Sequence, residues 1–355
     1  MNRRDFLMAG SSCAVALAVS SGAEPVANAN LGLLLYSYAL RGKAEKDREF
    51  GDPVRFLEFA HERGAVAVQL PLGVRTPDEA ASVRQACDRL GMQVEGIVSP
   101  PKETPNDIDR FSAELATARA CGATVVRTVM LGGRRYEVFV RASDFTMFAQ
   151  TAEETLKRAD RIAKEHKVIL AVENHKDFRI DELVDLLKRI SSEWIGVCID
   201  TGNNLALLED PLNSVQALAP FARSVHLKEI GVEESNDGFR MSEVPLGRGG
   251  FDLQRMVAVV RQANPNAIFH LEMITRDPLS IPCLTEKYWA TLERVSGQDL
   301  ARTLARVRST VRKEPLSRIT SLSVEEQLAA EDRNVRESFE FAARVGLIPS
   351  AAKSQ

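Results

Sequence analysis

The chain has almost no surplus of either charge: 46 lysines and arginines face 49 aspartates and glutamates, a net of −3. The broad basic surface that holds a polyanionic backbone is missing, so nucleic acid is not an expected partner. The five cysteines, at 13, 87, 121, 198 and 283, make no CxxC pair and no dense framework, which excludes a small disulfide scaffold or a cysteine-based zinc module. Cys13 falls in a leader; the other four read as single buried thiols, with a disulfide among them left open. No Gly-x-Gly-x-x-Gly follows the first strand, which argues against an open dinucleotide-binding sheet. No apolar run is strong and long enough for a stable transmembrane helix. What is present is 355 residues, 45% hydrophobic, enough for one large α/β barrel or two smaller domains.

The first 29 residues read as an export signal. Asn2-Arg3-Arg4-Asp5-Phe6-Leu7 is a twin-arginine motif, Met8 to about Ser20 is a modestly apolar, small-residue stretch, and Ala27-Asn28-Ala29 is a small-x-small cleavage site. The expected partner is the twin-arginine (Tat) export machinery, which carries folded proteins. The mature chain is expected to begin near Asn30 and to work in the periplasm without a stable membrane anchor.

From residue 31 onward, apolar runs alternate with helical segments. The strand candidates are Leu31–Tyr38, Ala65–Leu70, Gln93–Val98, Thr124–Met130, Val168–Glu173, Ile195–Asp200, Ser224–Leu227 and Ala267–Met273. Most are near-continuous apolar runs, as parallel strands covered on both faces require. Asp52-Pro53, Thr76-Pro77 and Asp210-Pro211 each place a capping residue before a proline at a helix start, and Gly64, Gly91 and Gly122 punctuate helix ends. Eight such units over residues 30–283 predict an α/β fold, a closed (β/α)8 TIM barrel. Gly247-Arg248-Gly249-Gly250 reads as a loop after the seventh strand. Residues 284–355 stand outside the repeat as a C-terminal helical extension, with amphipathic helices over Gln298–Arg312 and Val324–Val345, the latter opened by a Ser323-x-x-Glu326 capping box. Packing on the barrel wall or a homo-oligomer contact is the expected role.

Four polar side chains stand at the carboxyl ends of the last four strands: Glu173, Asp200, His226 and Glu272. Side chains alternate along a strand, so Ala171, Cys198, Ser224 and His270 share their parity one layer below. Three carboxylates and one imidazole raised to one side of a barrel rim form a hard ligand set for one divalent metal ion, Mn2+, Mg2+ or Co2+ first, with Zn2+ also compatible.

The motifs Glu-Asn-His at 173–175, Asp-Thr-Gly-Asn at 200–203, His-Leu-Lys at 226–228, Gly-Arg-Gly-Gly-Phe-Asp at 247–252 and Leu-Glu at 271–272, with the opening strand, resemble the sugar phosphate isomerase/epimerase family of the xylose isomerase-like TIM barrel superfamily. The resemblance covers roughly residues 31–280. It implies that Glu173, Asp200, His226 and Glu272 bind the metal and that Glu173 and Glu272 exchange a substrate proton from opposite faces. A carbonyl held by a cation makes the adjacent C–H acidic, one carboxylate removes the proton, and the other returns it to the enediolate. The Asp-x-x-His of many epimerases is here Asp200-x-x-Asn203, and only five histidines (61, 166, 175, 226 and 270) are available, against the trinuclear-zinc endonuclease branch. His175, Asn203, Lys228, Arg248, Tyr36 and Arg127 are the candidate substrate-binding residues, with Tyr38, Arg41, Gln69 and Ser99 also near strand ends. Lys228 could instead pair with Glu229, and His270 could orient Glu272. The expected function is a metal-dependent isomerase or epimerase of an unphosphorylated sugar or keto-sugar. The alternatives are a lyase or dehydratase acting by β-elimination, for instance on a 3-keto-glycoside, and a non-catalytic carbohydrate-binding barrel.

Overall fold

The computed structural model describes residues 29–44, 50–310 and 315–348; all but the last residue of the stretch read as an export signal lie outside them. Eight parallel strands close into a barrel: β1 (Gly32–Leu34), β2 (Ala67–Pro71), β3 (Gln93–Ile97), β4 (Val125–Thr128), β5 (Ile169–Glu173), β6 (Ile195–Asp200), β7 (Ala222–Leu227) and, as the eighth, β10 (Ile268–Leu271). The expected (β/α)8 architecture is what forms. Their outward faces carry the main apolar core, packed under the surrounding helices. Asp52, Thr76 and Asp210 cap their helices as the sequence predicts, each accepting a backbone N–H two or three residues on.

The barrel closes between β1 and β10, where Gly32 pairs with His270. A Cβ at residue 32 would sit 2.5 Å from His270 Nδ1, so only glycine lets the two strands meet there. The first strand is shorter than expected. After Leu34 the chain turns into a 3-10 helix, Leu35–Tyr38, whose Ser37 hydroxyl donates to Leu271 O at 2.9 Å and accepts from Met273 N at 3.0 Å, stapling the seam.

Two features were not expected. A hairpin, β8 (Glu229–Ser235) and β9 (Gly238–Val244), leaves β7 directly, and β11 (Leu279–Ile281) adds to β9 to make a three-stranded antiparallel sheet. This sheet and the helix Gly297–Thr310 share a second apolar cluster around Phe239, Met241, Ile281, Tyr288 and Val307. The glycine-rich loop therefore follows the hairpin, not β7, and it is pinned: Glu229 accepts from Gly247 N at 2.5 Å and Phe251 N at 3.1 Å. Helix Val324–Arg344 packs its Val335, Phe339 and Ala342 into the barrel's own core. Its buried Glu331 accepts from the backbone N–H of Leu40 at 2.7 Å and Arg41 at 3.0 Å. The second helix of the extension thus packs on the barrel wall, and the first on the inserted sheet. Among the described residues Cys87, Cys121, Cys198 and Cys283 are free and buried, and no helix is long and apolar enough to cross a membrane.

Candidate metal centre

Parallel strands in register raise Glu173, Asp200, His226 and Glu272 to the same end of the barrel: Asp200 pairs with His226, and Glu272 N bonds Leu227 O one residue beyond β10. Each offers a ligand atom within 4.8 Å of all the others, and all four are buried. Ligands of one small divalent cation stand no more than about twice a bond length apart, about 4–5 Å, so the spacing fits.

The layer beneath fixes which nitrogen of His226 faces the acids. Gln69 donates through Nε2 to Glu95 Oε2 at 2.9 Å and to Ser224 Oγ at 3.2 Å. Its Oε1 must then accept from His226 Nε2, 2.6 Å away. A neutral His226 therefore aims the lone pair of Nδ1 at Glu272 Oε2 (2.9 Å) and Glu173 Oε2 (3.3 Å). Acceptor facing acceptor is repulsive unless a cation lies between them. Asp200 Oδ2, His226 Nδ1 and Glu272 Oε2 are all buried without a well-formed hydrogen bond, although Lys228 Nζ lies 2.8 Å from Asp200 and 3.2 Å from Glu272. The donor set fits one divalent ion.

Protonation reflects the same crowding. Burial pushes the Asp200 carboxyl up to about 7 against the pull of Lys228. Burial alone would raise Glu173 and Glu272, but Arg127 beside one and Lys228 beside the other hold both below the usual carboxylate range. Burial lowers His226, yet Cys198, Glu173 and Glu272 outweigh it and keep a proton on the ring well above the usual imidazole range. In the metal-free chain that proton stands where the ion would.

The remaining sequence candidates divide. Arg127 Nε donates to Glu173 Oε2 at 2.5 Å, so its guanidinium is committed to that carboxylate and does not present itself to a substrate anion. Asn203 donates to Glu173 Oε1 at 2.9 Å, and its Oδ1 accepts from Lys228 Nζ at 3.3 Å and from Lys176 Nζ. Lys228 is fully buried and pairs with Asp200 and Glu272, not with Glu229, whose carboxylate holds the glycine loop. His175 is half-buried with Nδ1 3.0 Å from Leu131 O, and burial pushes its pKa down to about 4, so it stands neutral. Tyr36 lies half-buried on the 3-10 turn. Arg248 is exposed, 3.4 Å from Glu337, on the rim of a cleft of about 190 Å³ that Glu243, Arg276 and Asn334 also line. Tyr38 turns away, its hydroxyl accepting from Arg63 Nε at 2.9 Å, and Arg41 pairs with the C-terminal helix. His270 Nε2 lies 3.1 Å from Glu95 Oε2, in the layer below, so it does not orient Glu272.

Sequence reasoning missed three charged groups. Lys176 is buried at the end of the β5 loop. Glu243, on β9, lies 3.7 Å from Lys228 Nζ and takes both a 2.6 and a 3.1 Å bond from Arg276. The alternation of apolar and polar residues either side of Asn236-Asp237-Gly238 was the signal that could have found β9; nothing local marks Lys176.

Residues 57–310 match the model of the xylose isomerase-like TIM barrel family, and the chain belongs to it. It is 23% identical over 274 residues to the 3-oxo-isoapionate decarboxylase of Pectobacterium atrosepticum, covering 73% of this chain and 91% of that one. Its fold resembles a xylose isomerase-like TIM barrel protein from Mycobacterium smegmatis in complex with magnesium (TM-score 0.52, 16% identity, 71% of this chain and 89% of the other). It also resembles L-ribulose 3-epimerase (TM-score 0.51, 13% identity, 92% and 99%). The names of these two proteins, a decarboxylase and a 3-epimerase, give different activities.

Proposed function

We propose that this chain is a divalent-metal-dependent enzyme that breaks a bond next to the carbonyl of a small sugar-derived molecule. The observation that carries this reading is the convergence of four buried ligand residues within 4.8 Å, with Gln69 turning His226 Nδ1 toward two of the carboxylates. A cation held by Glu173, Asp200, His226 and Glu272 supplies a Lewis acid that polarises a carbonyl and favours negative charge on the neighbouring carbon. Mn2+, Mg2+ and Co2+ suit these ligands best.

The chain's own residues favour cleavage over two-sided proton exchange. Both oxygens of Glu173 are taken, one by Arg127 and one by Asn203, which makes it a fixed ligand and a poor base. Glu272, whose Oε2 has no well-formed hydrogen bond, is left as the carboxylate that moves a proton. One base suffices for β-elimination, and loss of CO2 from a 3-oxo acid needs none: the C–C bonding pair becomes the enolate, and one proton delivered to carbon completes the reaction. Lyase chemistry is therefore the first reading, and the decarboxylase relative supports it. Isomerisation or epimerisation is the second, favoured by two carboxylates, Glu173 and Glu272, meeting at one centre. The twin-arginine motif at Arg3-Arg4 supports a periplasmic reaction on an unphosphorylated compound.

Incubating Mn2+-loaded protein with keto-sugars, keto-sugar acids and 3-keto-glycosides in D2O separates the readings. Release of a leaving group or CO2 supports the lyase; deuterium at carbon with the skeleton intact supports the isomerase. Sugar binding with neither would mean a binding barrel and overturn both.

A further inference from the structure

Lys176 stands in a left-handed backbone conformation, φ +73°, three residues after Glu173. That region favours glycine, so a lysine held there is strained, and such strain persists where the side chain is needed. The side chain is buried, and its ammonium donates to Asn203 Oδ1. Lys228 Nζ lies 3.3 Å from the same oxygen. Two buried ammonium groups thus share one neutral acceptor. Lys228 is compensated by Asp200 and Glu272, whereas among the described residues no carboxylate oxygen lies within salt-bridge distance of Lys176.

The wider pocket shows the same gap. Counting Asp177, five buried carboxylates (Glu173, Asp177, Asp200, Glu243, Glu272) stand with four cationic side chains (Arg127, Lys176, Lys228, Arg276), and a divalent ion on the carboxylates tips the balance positive. A buried positive excess calls for an anion, and the uncompensated member is Lys176.

Resting on the metal-enzyme reading above, we infer that Lys176 anchors a carboxylate of the substrate, so that the substrate class is a sugar-derived keto acid and not a neutral sugar. A single ammonium beside an amide suits a monoanionic carboxylate. A phosphate would call on guanidinium groups, and both nearby arginines are committed, Arg127 to Glu173 and Arg276 to Glu243.

The matched probes are 2-keto-D-gluconate and D-fructose, which share their chain from C2 to C6 and differ at C1, carboxylate against hydroxymethyl. Calorimetry on the Mn2+-loaded full chain should show the acid binding at least about tenfold more tightly. Lys176→Met, and Lys176→Gly, which also relieves the left-handed strain, should bring that ratio near one while Mn2+ affinity stays within about threefold. A ratio near one in the unaltered protein, no binding of the acid at millimolar concentration, or an unchanged ratio in the folded variants would overturn the assignment. Failure of the unaltered protein to bind Mn2+ would sink the metal reading instead. The Lys176 assignment would then stand or fall on the same ratio in metal-free protein.

Discussion

Two polar layers are stacked inside this barrel, and they are built from the same materials to opposite ends. The lower one gathers Gln69, Glu95, Ser224 and His270 around a single carboxylate: Glu95 Oε2 has Ser224 Oγ at 2.6 Å, Gln69 Nε2 at 2.9 Å and His270 Nε2 at 3.1 Å. Ser224 and Gln69 donate to that one carboxylate and His270 lies beside it, although both His270 ring nitrogens are themselves buried without a well-formed hydrogen bond. The upper one gathers Glu173, Asp200, Glu272 and His226, where Asp200 Oδ2, His226 Nδ1 and Glu272 Oε2 are buried without a well-formed hydrogen bond. Burial is the same in both. What differs is the number of ligand atoms that converge. Below, one carboxylate meets neutral donors, while above, three carboxylates and an imidazole bring ligand atoms within 4.8 Å of one another. That convergence separates a structural network from a candidate site.

The largest test of that contrast lies in the upper layer. Glu272→Gln should lower turnover about 1000-fold, measured by product formation at saturating Mn2+, since it removes both a ligand and the remaining carboxylate base. Arg127→Met should cost about 3 kcal/mol in chemical denaturation because it strands a buried Glu173, and turnover should fall with it. Gln69→Leu links the layers: it frees the His226 tautomer and should weaken Mn2+ binding about 10–100-fold by calorimetry.

A smaller effect follows from protonation. Asp200 titrates at about 7 and His226 well above its ordinary range in the metal-free chain, so an incoming cation displaces protons. Affinity for Mn2+ should rise with pH and fall as pH drops through 7, about tenfold per unit for each proton released. A flat profile from pH 5 to 8 would contradict it. Smallest, and confined to the wall, Ser323→Ala removes a capping box and should cost about 1 kcal/mol of stability without moving Mn2+ affinity.

The upper layer was legible because it is periodic. Strand parity and parallel register together put residues 173, 200, 226 and 272 on one rim, and both can be read from apolar runs. The lower layer was half legible: Ser224 and His270 sit where parity placed them, but Glu95 meets Gln69 on the adjacent strand and Ser224 and His270 from across the barrel, pairings that only the closed barrel brings together. The cationic ring was not legible. Arg127 and Lys228 look like substrate contacts until their reach to Glu173 and Asp200 is seen. Lys176 depends on a backbone twist that no pattern announces, and Glu243 and Arg276 sit on the inserted sheet and the loop after β10.

The central claim is that the upper layer is an ion site, and the direct measurement is Mn2+ titrated into metal-stripped protein, followed by calorimetry and by the loss of free-ion paramagnetic signal. One ion per chain should be taken up, with proton release, and uptake should vanish in Asp200→Asn and His226→Asn while Glu95→Gln retains it. No uptake by the unaltered chain, or undiminished uptake by both ligand variants, would contradict the account.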